Sequence, residues 1–185
     1  MKRSRPQLLV TALLFAAVAQ ASAQTSSSAP SIGQQAQATP ATRTVFIKMD
    51  DISYGQKSID VKPGETVRFV LKNEGALMHE FNIGKAVSQL EHQREMAALF
   101  KDGTLTPTGK ATSIVWRERS GLGDSNPPGI PEVVQAIHDD PNAILVEPGT
   151  TKEFVWTFHD TANLNFACTL PGHYQAGMVG EFVIR

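Results

Sequence analysis

One cysteine, Cys168, stands in a chain of 185 residues. It cannot form an intramolecular disulfide, and a lone thiol in an oxidising compartment must be buried or ligated to escape oxidation. Charge of one sign is also missing, since 17 Lys and Arg face 18 Asp and Glu. Nothing in that balance suggests the basic patch of a nucleic-acid binder, so affinity for a phosphate backbone is not the expected function. No apolar run reaches the roughly 20 residues of a membrane-crossing helix. No Ser or Cys stands in a recognisable nucleophile motif, so a catalytic triad is not indicated.

The longest apolar run, Leu8 to Ala19, follows Lys2, Arg3 and Arg5 and precedes Ala21-Ser22-Ala23. This is the pattern of a secretory signal peptide, with residues 1–23 removed and a mature chain starting at Gln24. Arg3 and Arg5 are split by Ser4, so the twin-arginine signature is incomplete. Cleavage takes three basic residues and leaves 14 against 18 acidic ones, a mildly acidic protein. Residues 24–42 are Ser, Gln, Ala, Thr and Pro with little apolar bulk, which predicts a flexible tether.

From Arg43 onward the period is two: Val45, Ile47 and Met49, then Val67, Phe69 and Leu71, then Phe154, Trp156 and Phe158. Lys62-Pro63-Gly64-Glu65 and Glu147-Pro148-Gly149-Thr150 are turn sequences that feed two of these strands. With Ser58 to Val61, His79 to Ile83, Ala143 to Val146, Asn163 to Cys168 and Val179 to Ile184, about eight short strands predict an all-β, antiparallel Greek-key sandwich over residues 43–185. An insertion over about residues 85–142 interrupts it. There Val87, Leu90, Met96, Leu99 and Phe100 predict an amphipathic helix, Thr112 to Trp116 an extra strand, and Pro131 to His138 a second short helix.

The chemistry concentrates in Cys168-Thr-Leu-Pro-Gly-His173-Tyr-Gln-Ala-Gly-Met178, with four residues in each gap. Thiolate, imidazole and thioether on one loop, joined by a further imidazole, are the donor set of a trigonal copper site with a weak axial Met. The fourth ligand has to come from a distant strand. His79 is the expected one, because it starts an apolar strand just after a turn, whereas His92 and His138 fall in the insertion and His159 follows a strand. His92 and Met96, four apart on the expected helix, share a face and are a weaker candidate for a second metal site.

The C-terminal segment resembles the cupredoxins, and its Cys-x4-His-x4-Met loop is similar to that of the rusticyanin branch. The run His79-Glu-Phe-Asn-Ile-Gly, the helical insertion and the ending Pro171-Gly-His-Tyr-Gln-Ala-Gly-Met-Val-Gly look most like small periplasmic cupredoxins associated with copper resistance. The resemblance implies a β-sandwich with one type 1 copper ion held by His79, Cys168, His173 and Met178, and electron transfer or copper handling in the periplasm. Many cupredoxins place Asn after the first His, tying the two ligand loops together; this chain has Glu80, which leaves that hydrogen bonding and the reduction potential open. Residues 24–42 also lack the His and Met with which some copper-resistance cupredoxins gather extra copper.

The expected function is thus one-electron transfer in the periplasm by Cu(II)/Cu(I) cycling, with a haem or copper protein docking near His173. Apolar Leu170, Pro171, Tyr174 and Ala176 are expected to ring that histidine. The alternative is a copper-sequestering resistance protein without a dedicated partner. Copper enzymes built from such domains need a second copper centre, often from His-x-His, and no His-x-His occurs, so a non-enzymatic role is expected.

Overall fold

Apolar and polar residues alternate along most of the strands, and the strands form where that alternation lies. The computed structural model describes residues 32–110, 140–159 and 163–185. In chain order the elements are β1 (Gly33–Gln35), β2 (Arg43–Asp50), β3 (Ser53–Tyr54), β4 (Ser58–Val61), β5 (Thr66–Asn73), β6 (His79–Gly84), α1 (Ala86–Lys101), β7 (Leu105–Thr106), β8 (Gly109–Lys110), β9 (Ala143–Val146), β10 (Thr151–Phe158), β11 (Leu164–Ala167) and β12 (Val179–Ile184). Two five-stranded sheets result, ordered β1-β10-β5-β2-β3 and β4-β12-β11-β6-β9, with β7 and β8 as a separate hairpin.

The all-β sandwich is as expected, but the pairing is not wholly antiparallel. β2 runs parallel to β5, and β4 parallel to β12. The cause is connectivity: after β2 the chain passes through β4 in the opposite sheet and returns as β5, so β2 and β5 point the same way. Both Pro-Gly turns form, with Gly64 at φ 76° and Gly149 at φ 69°, and each is closed by a backbone bond, Glu65 N–H to Lys62 O at 3.0 Å and Thr150 N–H to Glu147 O at 3.2 Å.

Between the sheets lies an aromatic core. Phe81 is its hub, with ring centroids 5.1 Å from Phe69, 5.6 Å from Phe166, 6.1 Å from Tyr54 and 6.2 Å from Phe154. All six residues of β6 are buried, although Glu80 and Asn82 alternate with Phe81 and Ile83. Phe81 and Ile83 belong to the core cluster, while the polar pair meets α1.

The helix forms where its periodicity predicts; Met96, Leu99 and Phe100 meet the core as expected, but Val87 and Leu90 in its first half do not. Val87 is 74% exposed and Leu90 51%, while Gln89, His92 and Met96 are the buried residues. Gln89 Nε2 donates to Asn82 O at 3.2 Å and Asn165 O at 3.3 Å, so the helix is oriented by polar groups of β6 and β11 that need partners. Residues 33–35, inside the expected tether, instead pair with β10 in register Gly33 with Phe158. The expected strand at Thr112 to Trp116 and helix at Pro131 to His138 lie outside the described residues, as do residues 1–31.

Phe81→Ala removes the hub ring and should lower the unfolding free energy by ~3–5 kcal/mol. Urea denaturation followed by tryptophan fluorescence measures it, and a loss under ~1 kcal/mol would contradict the core described here.

Candidate metal centre

Loop 168–178 is held shut by its own backbone. The Cys168 amide donates to Met178 O at 3.1 Å, Met178 N–H to His173 O at 3.0 Å, and His173 N–H to Leu170 O at 3.0 Å. Cys168, Leu170 and Met178 are buried, whereas His173 is half-buried. The other wall is the start of β6. Asp51 Oδ1 accepts from the amides of Ala76 at 2.7 Å and Leu77 at 3.1 Å, and Asn73 Nδ2 donates to Leu77 O at 2.8 Å and Val146 O at 2.9 Å. Met78 N–H donates to Pro107 O at 2.6 Å, so the β7–β8 hairpin of the insertion also braces the residue before His79.

These supports bring His79, Cys168 and His173 together, with one ligating atom from each within 4.8 Å of the others. Cys168 Sγ lies 3.3 Å from His173 Nδ1, and the two imidazole centroids are 5.2 Å apart. Met178 is buried, and its backbone carbonyl accepts from the Cys168 amide. Of the other histidines, His92 lies on α1, His159 at the end of β10, and His138 outside the described residues.

Burial keeps all three groups uncharged, which readies the imidazoles as ligands and leaves the thiol proton for a cation to displace. Burial, aided by the neighbouring His173, pushes His79 down to about 4, against the weaker opposing pull of Asp51 and Asp50. Burial likewise lowers His173, and it raises the Cys168 thiol, with the charge of Glu80 adding to the rise. Both imidazoles are therefore neutral near pH 7, and a bound cation takes the place of the thiol proton. Neither ring nitrogen of buried His79 has a hydrogen-bond partner. A wholly buried imidazole without partners is costly, and a metal ion in the cluster removes that cost.

Glu80, where an Asn is common in the family it resembles, does tie the two ligand segments. Its Oε2 accepts from the Thr169 amide at 3.2 Å and from the Thr169 hydroxyl, and its own amide donates to Cys168 Sγ at 3.3 Å. Sequence reasoning passed over Thr169, Asp51 and Asn73. Only the position of Thr169 beside the cysteine pointed to it.

Comparison with known proteins decides the class. Residues 41–185 match the family described as copper binding proteins, plastocyanin/azurin family. The chain belongs to that family. As a plastocyanin/azurin-family cupredoxin it takes copper as its cofactor, and the neutral imidazoles, single thiolate and adjacent methionine are donors that suit copper. It is 45% identical over 178 residues to the copper-resistant cuproprotein CopI of Pseudomonas aeruginosa, covering 96% of this chain and 94% of that one. To the CopI of Rubrivivax gelatinosus it is 34% identical over 193 residues, 98% of this chain and 96% of that one. Among solved structures, auracyanin B shares the fold with a TM-score of 0.52 at 20% identity, over 82% of this chain and 94% of that one.

His92 and Met96, the weaker candidate for a second metal site, do not come together. Met96 is sealed in the core, while His92 turns both ring nitrogens to carboxylates: Nε2 to Glu80 at 2.8 Å, Nδ1 to Glu95 at 3.1 Å and Asp140 at 3.2 Å. Burial opposes its charge, but the hydrogen bond to Glu80 and its neighbours raise His92 to about 9.

Copper-loaded protein should absorb intensely in the visible through thiolate-to-Cu(II) charge transfer, and Cys168→Ser should abolish that colour. Met178→Leu should keep the copper and raise the reduction potential, because a sulfur donor to Cu(II) is lost. Metal analysis with visible spectroscopy and voltammetry checks both; a coloured Ser variant, or copper lost with Met178 alone, would reverse the ligand roles.

Proposed function

We propose that this cupredoxin carries single electrons in the periplasm in the service of copper tolerance, and that it is a carrier rather than an enzyme. The observation that carries the reading is a buried ligand cluster with one imidazole, His173, half-exposed at the tip of a rigid loop. Bound copper supplies the Cu(II)/Cu(I) couple. The chain does the rest: the Glu80 amide holds the Cys168 sulfur, Leu170 and Met178 exclude water beside it, and the closed loop keeps the ligands in place between charge states. Little rearrangement means a low barrier to electron exchange.

A partner would meet His173 through Pro171 and Ala176, which are exposed, and Tyr174, which is half-exposed. Leu170, expected in that ring, is 1% exposed and belongs to the core instead. The leucine's alternating neighbours, Thr169 and Pro171, do not reveal that the chain is still entering the loop from β11 at this point. The role in tolerance is supported by the names of the two CopI relatives. Storage without a partner is the second reading, and capacity speaks against it: Met49, Met78 and Met96 are all fully buried and His92 is engaged with carboxylates. Among the described residues no helix is long and apolar enough to cross a membrane. The periplasmic assignment draws on the signal-peptide pattern of residues 1–23.

Ala176→Glu should slow stopped-flow reduction by a small haem or copper protein by roughly tenfold while leaving the copper spectrum unchanged, through a charge placed in an apolar contact. An unchanged rate, with several tight coppers per chain on titration, would favour storage. Mass spectrometry of the exported fraction should find an N-terminus at Gln24 or its cyclised form; an intact Met1 there would refute cleavage.

A further inference from the structure

Glu80 is wholly excluded from solvent. A buried carboxylate is tolerated only where hydrogen bonds and opposite charge offset its lost hydration. Its two oxygens face different parts of the molecule. Oε2 takes the amide and hydroxyl of Thr169, the residue after Cys168, and Oε1 lies 2.8 Å from His92 Nε2 on α1. Since Glu80 itself follows His79, one carboxylate joins both ligand-bearing segments to the inserted helix. The imidazole that grips it is anchored from behind, with Nδ1 between Glu95 at 3.1 Å and Asp140 at 3.2 Å.

We propose that His92 is a positioning residue of the copper centre: by holding Oε1 of Glu80 it aims Oε2 at Thr169, and so sets where the Cys168 sulfur stands relative to His79. The inference rests on the copper centre and not on electron transfer. A buried carboxylate that loses the imidazole turns toward other donors or admits water, and Thr169 moves with it. Because the Glu80 amide also donates to Sγ, the disturbance reaches the sulfur by two routes. The remaining attachments of α1 are separate from this relay. Gln89 bonds to Asn82 O and Asn165 O, and Gln175 Nε2 donates to Gln93 Oε1 at 2.8 Å; none of these bonds involves Glu80 or Thr169. Docking of the helix and positioning of the sulfur can therefore be told apart.

The test uses the full chain carrying His92→Leu, His92→Gln, Thr169→Val or Gln89→Ala. Three quantities are read: the thiolate charge-transfer spectrum, the reduction potential, and, in metal-free protein, the alkylation rate of Cys168. His92→Leu and Thr169→Val should retain one copper, shift both the spectrum and the potential, and speed alkylation by roughly tenfold, the scale of one lost hydrogen bond to a charged group. His92→Gln keeps an N–H donor and should restore most of each value. Gln89→Ala should lower the melting temperature and leave all three unchanged. Wild-type values in His92→Leu, or equal shifts in Gln89→Ala, would overturn the proposal and leave His92 as a helix anchor. If His92→Leu does not fold, Thr169→Val and His92→Gln decide. Should the wild-type chain take up no copper, the copper centre itself would fall, and the alkylation rates would still judge the role of His92.

Discussion

The structure depends on the register between β6 and β11. Ala167 lies opposite Asn82 and Phe166 opposite Ile83; the same alignment carried further sets Cys168 opposite Phe81 and Thr169 opposite Glu80, and the Glu80 amide donates to Cys168 Sγ. A slip of one residue would turn Glu80 and Asn82 into the aromatic core and Phe81 and Ile83 out to the helix. The rings of Phe81 and Phe166, stacked with centroids 5.6 Å apart, oppose such a slip. The hydrophobic core and the metal ligands are therefore placed by one pairing.

The insertion completes what that pairing begins. A strand with Glu80 and Asn82 on its outer face would ordinarily show that face to water, yet all of β6 is buried. α1 covers it with a Gln and a His, residues that can bond to the groups they hide, and the β7–β8 hairpin reaches Met78 from the other side. Polar groups withdrawn from water need such matched partners. The apolar residues Val87 and Leu90 are left on the outside as the helix turns its polar residues inward.

Much of this was legible in the sequence, for physical reasons that also mark its limits. Three soft or borderline donors packed into residues 168–178 are a local signal, and His79 was found because a ligand at a strand end is one step from a local signal. Period-two alternation located β2, β5 and β10, but alternation is blind to which strands pair, and the parallel β2–β5 and β4–β12 partnerships arise from the path between sheets. The helix was located by its period, and Met96, Leu99 and Phe100 meet the core as that period implies, but at Val87 and Leu90 the rule failed because it assumes that burial is apolar. Gln89 and His92 face inward for bonds to residues far along the chain, such as Asn165, which a window of neighbours does not contain. Glu80 stood out in the sequence only as a departure from a pattern; its bonds to Thr169 and His92 explain what the carboxylate accomplishes there.

His79 and Cys168 are 89 positions apart, and Cys168, His173 and Met178 all fall within the last 18 residues. Closing so long a loop is entropically unfavourable until the strands between have condensed. A chain not yet grown to Cys168, however well its earlier strands have formed, holds only His79 of the four ligand residues. The donor set is thus complete only when residues 164–178 have come to lie against β6, so the site is assembled by the same long-range pairing that closes the second sheet.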